Sequence, residues 1–356
     1  MHAALRNTAL IAPLALVFAA CVGTRQPVHT PGVAHADFAI AIERGRNIVR
    51  PLTRRGSGVA VAVGVGGQLV WSEGFGRVSM SDGVPVRPDM PFRIYSLMKQ
   101  VTAVAALQAA RRGEVDLRAP IRRVIPALPD AYERVTLGQL LTHTAGVRHY
   151  RDSAEARMKM PCATAADALP RFIGDPLVGE PGAAQRYSTW GFVVASAVLE
   201  QAAGMPFDSL MTARIAAPAG MRSFRLEGKG APAPLGYFDV DADGVTRATS
   251  PLDNSCKMGG GGFVASAEDI VRFHNAVLRG ELVPLGAARQ LLGNRSVLEA
   301  GGSGPGGEAV SVVDLDTRIS VVVLSNTSGL EQRIALQRAR EILASVFSGV
   351  ARSESP

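Results

Sequence analysis

The chain has 356 residues, of which 47% are hydrophobic and 19% charged, and its formal net charge is +7. This length and composition are typical of a globular protein with one large core or two lobes, and they argue against a disordered chain. The Arg and Lys residues occur singly or in pairs beside apolar or acidic neighbours. Because no basic run is interleaved with aromatic residues, we expect no nucleic-acid binding.

The N-terminus has the pattern of an export signal. A positively charged start precedes an apolar stretch at residues 8–20, which is too short to span a bilayer as a helix. Small residues then precede Cys21, as at a bacterial lipoprotein processing site, although Phe18 stands where Leu is usual. We predict a signal peptide at 1–20, lipid attachment at Cys21, a tether at 21–36 and a periplasmic or membrane-anchored location. Ordinary signal cleavage nearby is the alternative.

Cysteine and histidine spacing indicates no metal site. If Cys21 carries lipid, Cys162 and Cys256 remain, and they can pair in an oxidising compartment. The sequence leaves open whether these two residues meet. We expect neither a metal nor an organic cofactor.

Beyond the tether, the apolar pattern predicts a helix at 38–52 and two strands, at 59–65 and 68–73, joined by a Gly-Gly turn. Helices dominate the middle of the chain, including one that begins at Ser96. The chain then ends in a hairpin and a long helix, with predicted bounds of 309–314, 318–325 and 330–347. Strands towards both ends predict an antiparallel α/β sheet built from both chain ends, with an inserted helical lobe.

The predicted domain organisation follows from this pattern. A single two-lobed domain occupies residues 37–352. Its sheet lobe comprises 37–92 and 263–350, and its helical lobe comprises 93–262.

Ser96 and Lys99 are the first candidates for chemistry, because a spacing of three places both side chains on one face of a helical turn. A lysine must be neutral to accept a proton from serine. From its usual pKa, neutrality at pH 7 costs about 4.6 kcal/mol, which burial beside an apolar face can supply. Ser-x-x-Lys alone is a weak signal, since it is also common on helix surfaces.

The surrounding motifs make the signal specific. They include Phe92 to Lys99, Gly113 to Leu117, Leu140 to Gly146, Arg186 to Thr189, and Asp253 to Phe263. Their order resembles the serine β-lactamase and penicillin-binding protein superfamily, in its class C-like branch, and is most similar to the mitochondrial serine β-lactamase-like family. The resemblance implies a two-lobed transpeptidase-like fold. It also implies that Ser96 forms an acyl-enzyme while Lys99 and Tyr187 relay its proton.

The third motif of the superfamily is altered here. The resemblance places Ala300 where a cation is usual, and the short stretch before it leaves open whether a strand is lost. Backbone N–H groups of Ser96 and of the strand near Gly302 and Ser303 would form the oxyanion hole. Thr189 stands in place of the usual Asn but keeps a hydroxyl for substrate or for Lys99.

We therefore predict a serine hydrolase that acts on a small ester, amide or peptide substrate. Loss of the cation predicts poor activity on β-lactams and on D-Ala-D-Ala termini, unless Lys257 or Arg295 replaces it. Two alternatives stay open. One is a D,D-carboxypeptidase or β-lactamase that uses another cation, and the other is an impaired member that binds peptide or cell-wall fragments. The oligomeric state and lipid attachment lie beyond the sequence.

Overall fold

The computed structural model describes residues 29–79, 83–157, 161–229, 236–240, 246–249, 252–291 and 293–353. The predicted signal peptide, Cys21 and the first part of the predicted tether lie outside the described residues.

The described residues form twelve strands and ten α-helices. The strands are β1 (His29–Ala34), β2 (Val59–Val65), β3 (Gln68–Phe75), β4 (Phe92–Arg93), β5 (Arg225–Leu226), β6 (Phe238–Val240), β7 (Thr246–Ala248), β8 (Phe263–Ala265), β9 (Val297–Gly304), β10 (Gly307–Asp314), β11 (Ile319–Ser325) and β12 (Thr327–Ser328). The helices are α1 (Ala39–Val49), α2 (Met98–Arg111), α3 (Leu137–Leu141), α4 (Ser153–Ala156), α5 (Thr189–Ala203), α6 (Phe207–Met211), α7 (Ala217–Ala219), α8 (Ala267–Leu278), α9 (Leu285–Leu291) and α10 (Leu330–Ser353).

A six-stranded antiparallel sheet is assembled from both ends of the chain, in the order β1-β3-β2-β11-β10-β9. At its centre Val59–Val65 pairs with Ile319–Ser325, with Val59 opposite Ser325 and Val65 opposite Ile319. The predicted sheet built from both chain ends is therefore confirmed. The prediction of a tether is wrong for residues 29–34, which form strand β1. Their backbone pairs with β3, and the amide of Val33 donates to Ser72 Oγ.

The two faces of the sheet differ in side-chain size, and this decides what packs on each. In β2 the valines at 59, 61 and 63 join Trp71 and Phe347 in a core beneath α1 and α10. The intervening Ala60 and Ala62 face the main core of the helical lobe. At Gly64 on that face a β-carbon would lie 2.7 Å from Asn275 of α8, so small residues let α8 lie directly against the strands.

The helical lobe lies between the two halves of the sheet in sequence and is joined to them by a small sheet. In this junction β8 pairs with both β4 and β5. Cys162 and Cys256 form a disulfide with Cα atoms 4.8 Å apart, which ties a loop of the lobe to the turn after Asn254. None of the helices in the described part of the chain is long and apolar enough to cross a membrane.

Strand β9 is present, although the sequence left its existence open. It pairs with β10 along its whole length, with Ala300 opposite Ser311, and it forms one edge of the large sheet. On its other side Gly302 lies against the backbone of Ile94 and Ser96, just before α2.

Candidate active site

Ser96 lies in a short 3-10 turn, Tyr95–Leu97, between β4 and α2, rather than in the α-helix predicted to begin at this residue. Tyr95, the residue before Ser96, holds this turn in place. Tyr95 has a left-handed φ of 46°, which is costly for a non-glycine residue, and its hydroxyl donates to the carbonyl of Pro305 at 2.6 Å. Its ring packs against Gly304 and Gly307, which the neighbouring hairpin supplies. The strained turn therefore fixes the direction of the Ser96 side chain.

Lys99 lies one helical turn further, and the structure brings it to Ser96 as predicted. Its Nζ is 3.0 Å from Ser96 Oγ, 3.3 Å from Thr189 Oγ1 and 2.6 Å from the carbonyl oxygen of Gly260. The residue is only 8% exposed. Burial lowers the pKa of Lys99 well below its usual value, and the charge of Lys257 lowers it further. These surroundings favour the neutral amine that proton acceptance requires.

Tyr187 reaches the same serine from the loop before α5. Its hydroxyl donates to Ser96 Oγ at 2.5 Å, and its ring centroid is 4.8 Å from Lys99 Nζ. The side chain is 47% exposed, yet its hydroxyl is enclosed by the cleft, and burial raises the pKa of the phenol. Tyr187 therefore keeps its proton at neutral pH and can donate it. Ser96, Lys99 and Tyr187 form one hydrogen-bonded cluster.

A histidine holds Tyr187 in place. The rings of His143 and Tyr187 have centroids 4.6 Å apart, and His143 Nδ1 accepts the backbone N–H of Ser188. Burial lowers the pKa of His143 to about 4, so its imidazole is neutral at pH 7. Through these contacts with Tyr187 and Ser188, His143 shapes the loop that carries the phenol to the site.

Ser188 and Thr189 divide two tasks at the start of α5. The Ser188 hydroxyl accepts the N–H of Gly191 and caps the helix. Thr189 is thus left free of the capping role and turns its hydroxyl to Lys99. Its backbone N–H donates to Nδ1 of His149, a residue that we did not single out as functional from the sequence.

Strand β9 lies backbone to backbone with the turn that carries the nucleophile. A β-carbon on Gly302 would lie 2.2 Å from the carbonyl oxygen of Ile94 and 2.9 Å from the amide nitrogen of Ser96. Ser303 lines the cleft, and its hydroxyl donates to the buried carboxylate of Glu308 at 2.8 Å. Glu308 therefore anchors the strand next to the amide of Ser96, where an oxyanion hole is expected.

The turn Ser255–Gly260 contributes two groups to the cleft. The carbonyl of Gly260 accepts from Lys99, and a β-carbon on Gly260 would lie 2.7 Å from Thr189 Cγ2. Lys257 of the same turn lines the cleft on one side of Ser96, whereas Arg295 lines the other side together with Ala300. Across the described ranges, no three His, Cys, Asp or Glu side chains are arranged to hold a metal ion.

Comparisons with known proteins agree with this geometry. The family described as Beta-lactamase matches residues 45–345. The chain belongs to this family of serine β-lactamase and penicillin-binding protein relatives. This confirms the superfamily resemblance and the predicted two-lobed α/β fold.

Two proteins of similar sequence and one of similar structure illustrate the relationship. The mitochondrial serine beta-lactamase-like protein LACTB of Homo sapiens is 25% identical over 319 residues, covering 70% of this chain and 58% of that protein. Esterase EstB of Burkholderia gladioli is 28% identical over 262 residues, covering 63% of this chain and 66% of EstB. The D-amino acid amidase of Ochrobactrum anthropi has the same fold, with a TM-score of 0.75 at 20% identity, covering 89% of this chain and 100% of the amidase. The chain thus spans less than two thirds of LACTB and of EstB.

Proposed function

We propose that this protein is a serine hydrolase that cleaves an ester or amide through an acyl-serine intermediate. The proposal rests on the contacts of Ser96 Oγ with Lys99 Nζ at 3.0 Å and with the Tyr187 hydroxyl at 2.5 Å. The environment favours a deprotonated amine at Lys99 and a protonated phenol at Tyr187, so one group can accept a proton and the other can donate one. The comparisons include an esterase, a D-aminopeptidase and a D-amino acid amidase, whose names describe this class of reaction.

The contacts divide the proton transfers between the two groups. Neutral Lys99 accepts the hydroxyl proton as Ser96 Oγ forms a bond to the acyl carbon. The oxyanion that results is stabilised by the N–H of Ser96 and by that of Ser303 on β9. Tyr187, which keeps its proton at neutral pH, donates it to the leaving oxygen or nitrogen, and Lys99 returns the serine proton to the phenol. Water then attacks the acyl-serine by the reverse relay and releases the acid.

The altered third motif restricts the substrates. Ala300 places a methyl group where the superfamily has a cation, in a part of the cleft that Leu298 and Val313 line together with Arg295 and Glu299. A charge-assisted hydrogen bond is worth about 1.5–3 kcal/mol, so substrates that need that cation lose about tenfold to a hundredfold in affinity. We propose that neutral esters or internal peptide bonds are cleaved in preference to β-lactams and D-Ala-D-Ala termini.

A labelling experiment tests the reaction itself. A fluorophosphonate probe should phosphonylate Ser96 of the wild-type protein, with loss of fluoride, and leave folded Ser96→Ala unlabelled. An unlabelled wild type that is folded would favour the non-catalytic binding alternative. Hydrolysis of p-nitrophenyl esters, nitrocefin and a D-Ala-D-Ala peptide then sorts the substrates, and penicillin-type turnover as fast as ester turnover would contradict the proposed preference.

We also propose that the protein is exported, with residues 1–20 as signal peptide and Cys21 as lipid attachment site. The disulfide between Cys162 and Cys256 supports an oxidising compartment, because such bonds are rare in the cytosol. Mass spectrometry of the mature N-terminus tests both parts. A diacylated Cys21 supports the anchor, a start elsewhere supports ordinary cleavage, and an unprocessed Met1 contradicts export.

A further inference from the structure

Two cavities meet at Ser96. The first, of about 410 Å³, contains Lys257 beside Tyr150, and further along its wall Glu308 and Arg333, which pair with each other. The second, of about 460 Å³, lies on the side of Lys99, and we call it the apolar cavity because Phe192, Phe273, Leu298 and Ala300 form much of its wall, although Arg295 and Glu299 also line it. A substrate bound across Ser96 would therefore place one part beside Lys257 and the other part against the wall of the apolar cavity.

Lys257 is a buried cation whose charge no ion pair in the described ranges neutralises. It is 6% exposed, and its Nζ lies 5.5 Å from the centroid of the Tyr150 ring. The carboxylate of Glu227, the acidic group whose charge acts on it, is already bound by Arg93 at 2.6 Å. A buried charge without a partner is costly, so an anion supplied by a ligand would be bound favourably.

The position of Lys257 differs from that of the missing cation. Ala300 lines the apolar cavity, whereas Lys257 lines the cavity on the other side of Ser96. By the family resemblance, a cation at position 300 would grip the terminal carboxylate of D-Ala-D-Ala, which belongs to the leaving residue. The apolar cavity is then the leaving-group side, and the cavity of Lys257 holds the acyl part.

We propose that the preferred substrates carry a carboxylate on the acyl part, bound by the Lys257 ammonium, and an apolar leaving group in the opposite cavity. This inference rests on the proposed hydrolase function. Lys257 is here a specificity-determining residue that does not touch the reacting atoms. The bond broken remains the ester or amide bond, and no further reactant is needed.

The charge of Lys257 gives the preference a defined pH dependence. Burial lowers its pKa to about 8, with Glu227 opposing the shift and the charges of Arg93 and Arg157 adding to it. The ammonium is present below this pH and is lost as pH rises through it. The preference for an anionic acyl group should therefore fall between about pH 7 and about pH 9, while the carboxylate itself stays ionised.

A matched pair of substrates tests the proposal, namely the mono-p-nitrophenyl ester of adipic acid and p-nitrophenyl hexanoate. Both esters have the same leaving group and an acyl chain of the same length. The acyl chain ends in a carboxylate in the adipate ester and in a methyl group in the hexanoate. The readout is the ratio of their kcat/KM values, in which any general effect on Ser96 or Lys99 cancels. Wild type should favour the adipate ester, Lys257→Met should lower the ratio about tenfold or more, and Lys257→Arg should retain most of it.

Lys229→Met is the matched control, because Lys229 is an exposed lysine paired with Asp208 outside both cavities. It should leave the ratio unchanged. An unchanged ratio in folded Lys257→Met, or a wild-type ratio that does not fall from about pH 7 to about pH 9, overturns the proposal. Glu308 lines the same cavity, and burial raises its pKa to about 7, so it also changes charge in this range. The pH series is therefore repeated in Glu308→Gln, where the ratio should still fall, and this result decides the question even where Lys257→Met does not fold. If wild type cleaves neither ester and is not labelled by fluorophosphonate, the hydrolase function itself has failed.

Discussion

Lys99 Nζ donates a hydrogen bond of 2.6 Å to the carbonyl oxygen of Gly260, which lies 161 residues further along the chain. A neutral amine has two N–H bonds and one lone pair. With Gly260 and Thr189 accepting the two N–H bonds, the lone pair is directed at the Ser96 hydroxyl. The contact thus orients Lys99 as a base as well as holding it in place.

This arrangement predicts the pH dependence of the reaction. The pKa of Lys99 is well below its usual value because the residue is buried, and the neutral form is the active one. The kcat/KM for a neutral ester should therefore rise with pH and reach its plateau well below the usual lysine pKa of about 10.4. Glu308, whose pKa burial raises to about 7, also titrates near the site. Glu308→Gln should keep the rising limb, and a limb that disappears in this variant would assign it to Glu308 instead.

Removal of the Tyr187 hydroxyl should slow the chemical step. Tyr187→Phe keeps the ring against His143 but loses the hydrogen bond to Ser96 Oγ and the proton for the leaving group. General acid–base groups contribute about 10²–10⁴-fold, so a loss of kcat in that range is expected. Tyr132→Phe is the control, since Tyr132 is a buried tyrosine of the core outside both cavities. Equal rates for the two variants would exclude Tyr187 from the proton relay.

Two neighbouring glycines of β9 offer a test of the oxyanion strand. Gly302→Ala should push the strand from Ser96, because its β-carbon would lie 2.2 Å from the Ile94 carbonyl oxygen. Gly301→Ala should be tolerated, since the added β-carbon would lie 3.8 Å from its nearest neighbour, the carbonyl oxygen of Ala309. We expect kcat to fall about 10²-fold or more in Gly302→Ala and to change little in Gly301→Ala. Circular dichroism checks that both variants fold, and similar kcat values would contradict the geometry.

The disulfide should stabilise the fold substantially. Cys162 and Cys256 enclose a sequence separation of 94 residues, and cross-links of this span are worth about 2–5 kcal/mol. Urea unfolding of the double variant Cys162→Ser, Cys256→Ser should show that loss. Reductant should destabilise the wild type and have no effect on the variant. A wild type whose stability is unchanged by full reduction would contradict this expectation.

His274 should make the protein sensitive to acid. It lies buried between Ser320 Oγ at 2.7 Å and Gln100 Oε1 at 3.1 Å, and burial lowers its pKa to about 3. Below about pH 6.5 the unfolded chain binds a proton that the folded protein does not, so the free energy of unfolding falls by up to about 1.4 kcal/mol per pH unit. His143 and His149 act in the same direction.

The test for His274 compares how steeply the free energy of unfolding falls with pH in two proteins. Unfolding free energies of wild type and His274→Gln, measured from about pH 6 to about pH 4, should show a shallower decline in the variant. Glutamine can keep hydrogen bonds to the same neighbours without titrating. Parallel slopes would mean that His274 takes up its proton in the folded state.

Local patterns were sufficient to predict much of the site. The spacing of Ser96 and Lys99 predicts their proximity wherever this segment is helical, since three residues make about one helical turn. Thr136 and Ser266 likewise cap α3 and α8 as their sequence contexts indicate. Tyr187 required the family resemblance, because no local rule brings a residue 91 positions away to Ser96.

Features that depend on tertiary contacts were not predictable in this way. Residues 29–34 have the Pro and Gly content of a tether, but pairing with β3 makes them a strand. The side of the cleft taken by Lys257 follows from an irregular turn in which Met258 has a φ of 38°. Propensities do not specify such a conformation. The sequence therefore suggested Lys257 as a substitute cation but could not predict on which side of Ser96 it lies.

The pairing of β2 with β11 has a consequence for when this protein becomes active. The nucleophile is synthesised in the first third of the chain, but its cleft is bounded by β9, and β9 is held in the sheet only through β10 and β11. These strands leave the ribosome late, and pairing across so long a stretch of sequence is slow. We therefore expect a nascent or truncated chain to carry its reactive serine without a finished cleft around it, and to hydrolyse no substrate until the late strands have paired.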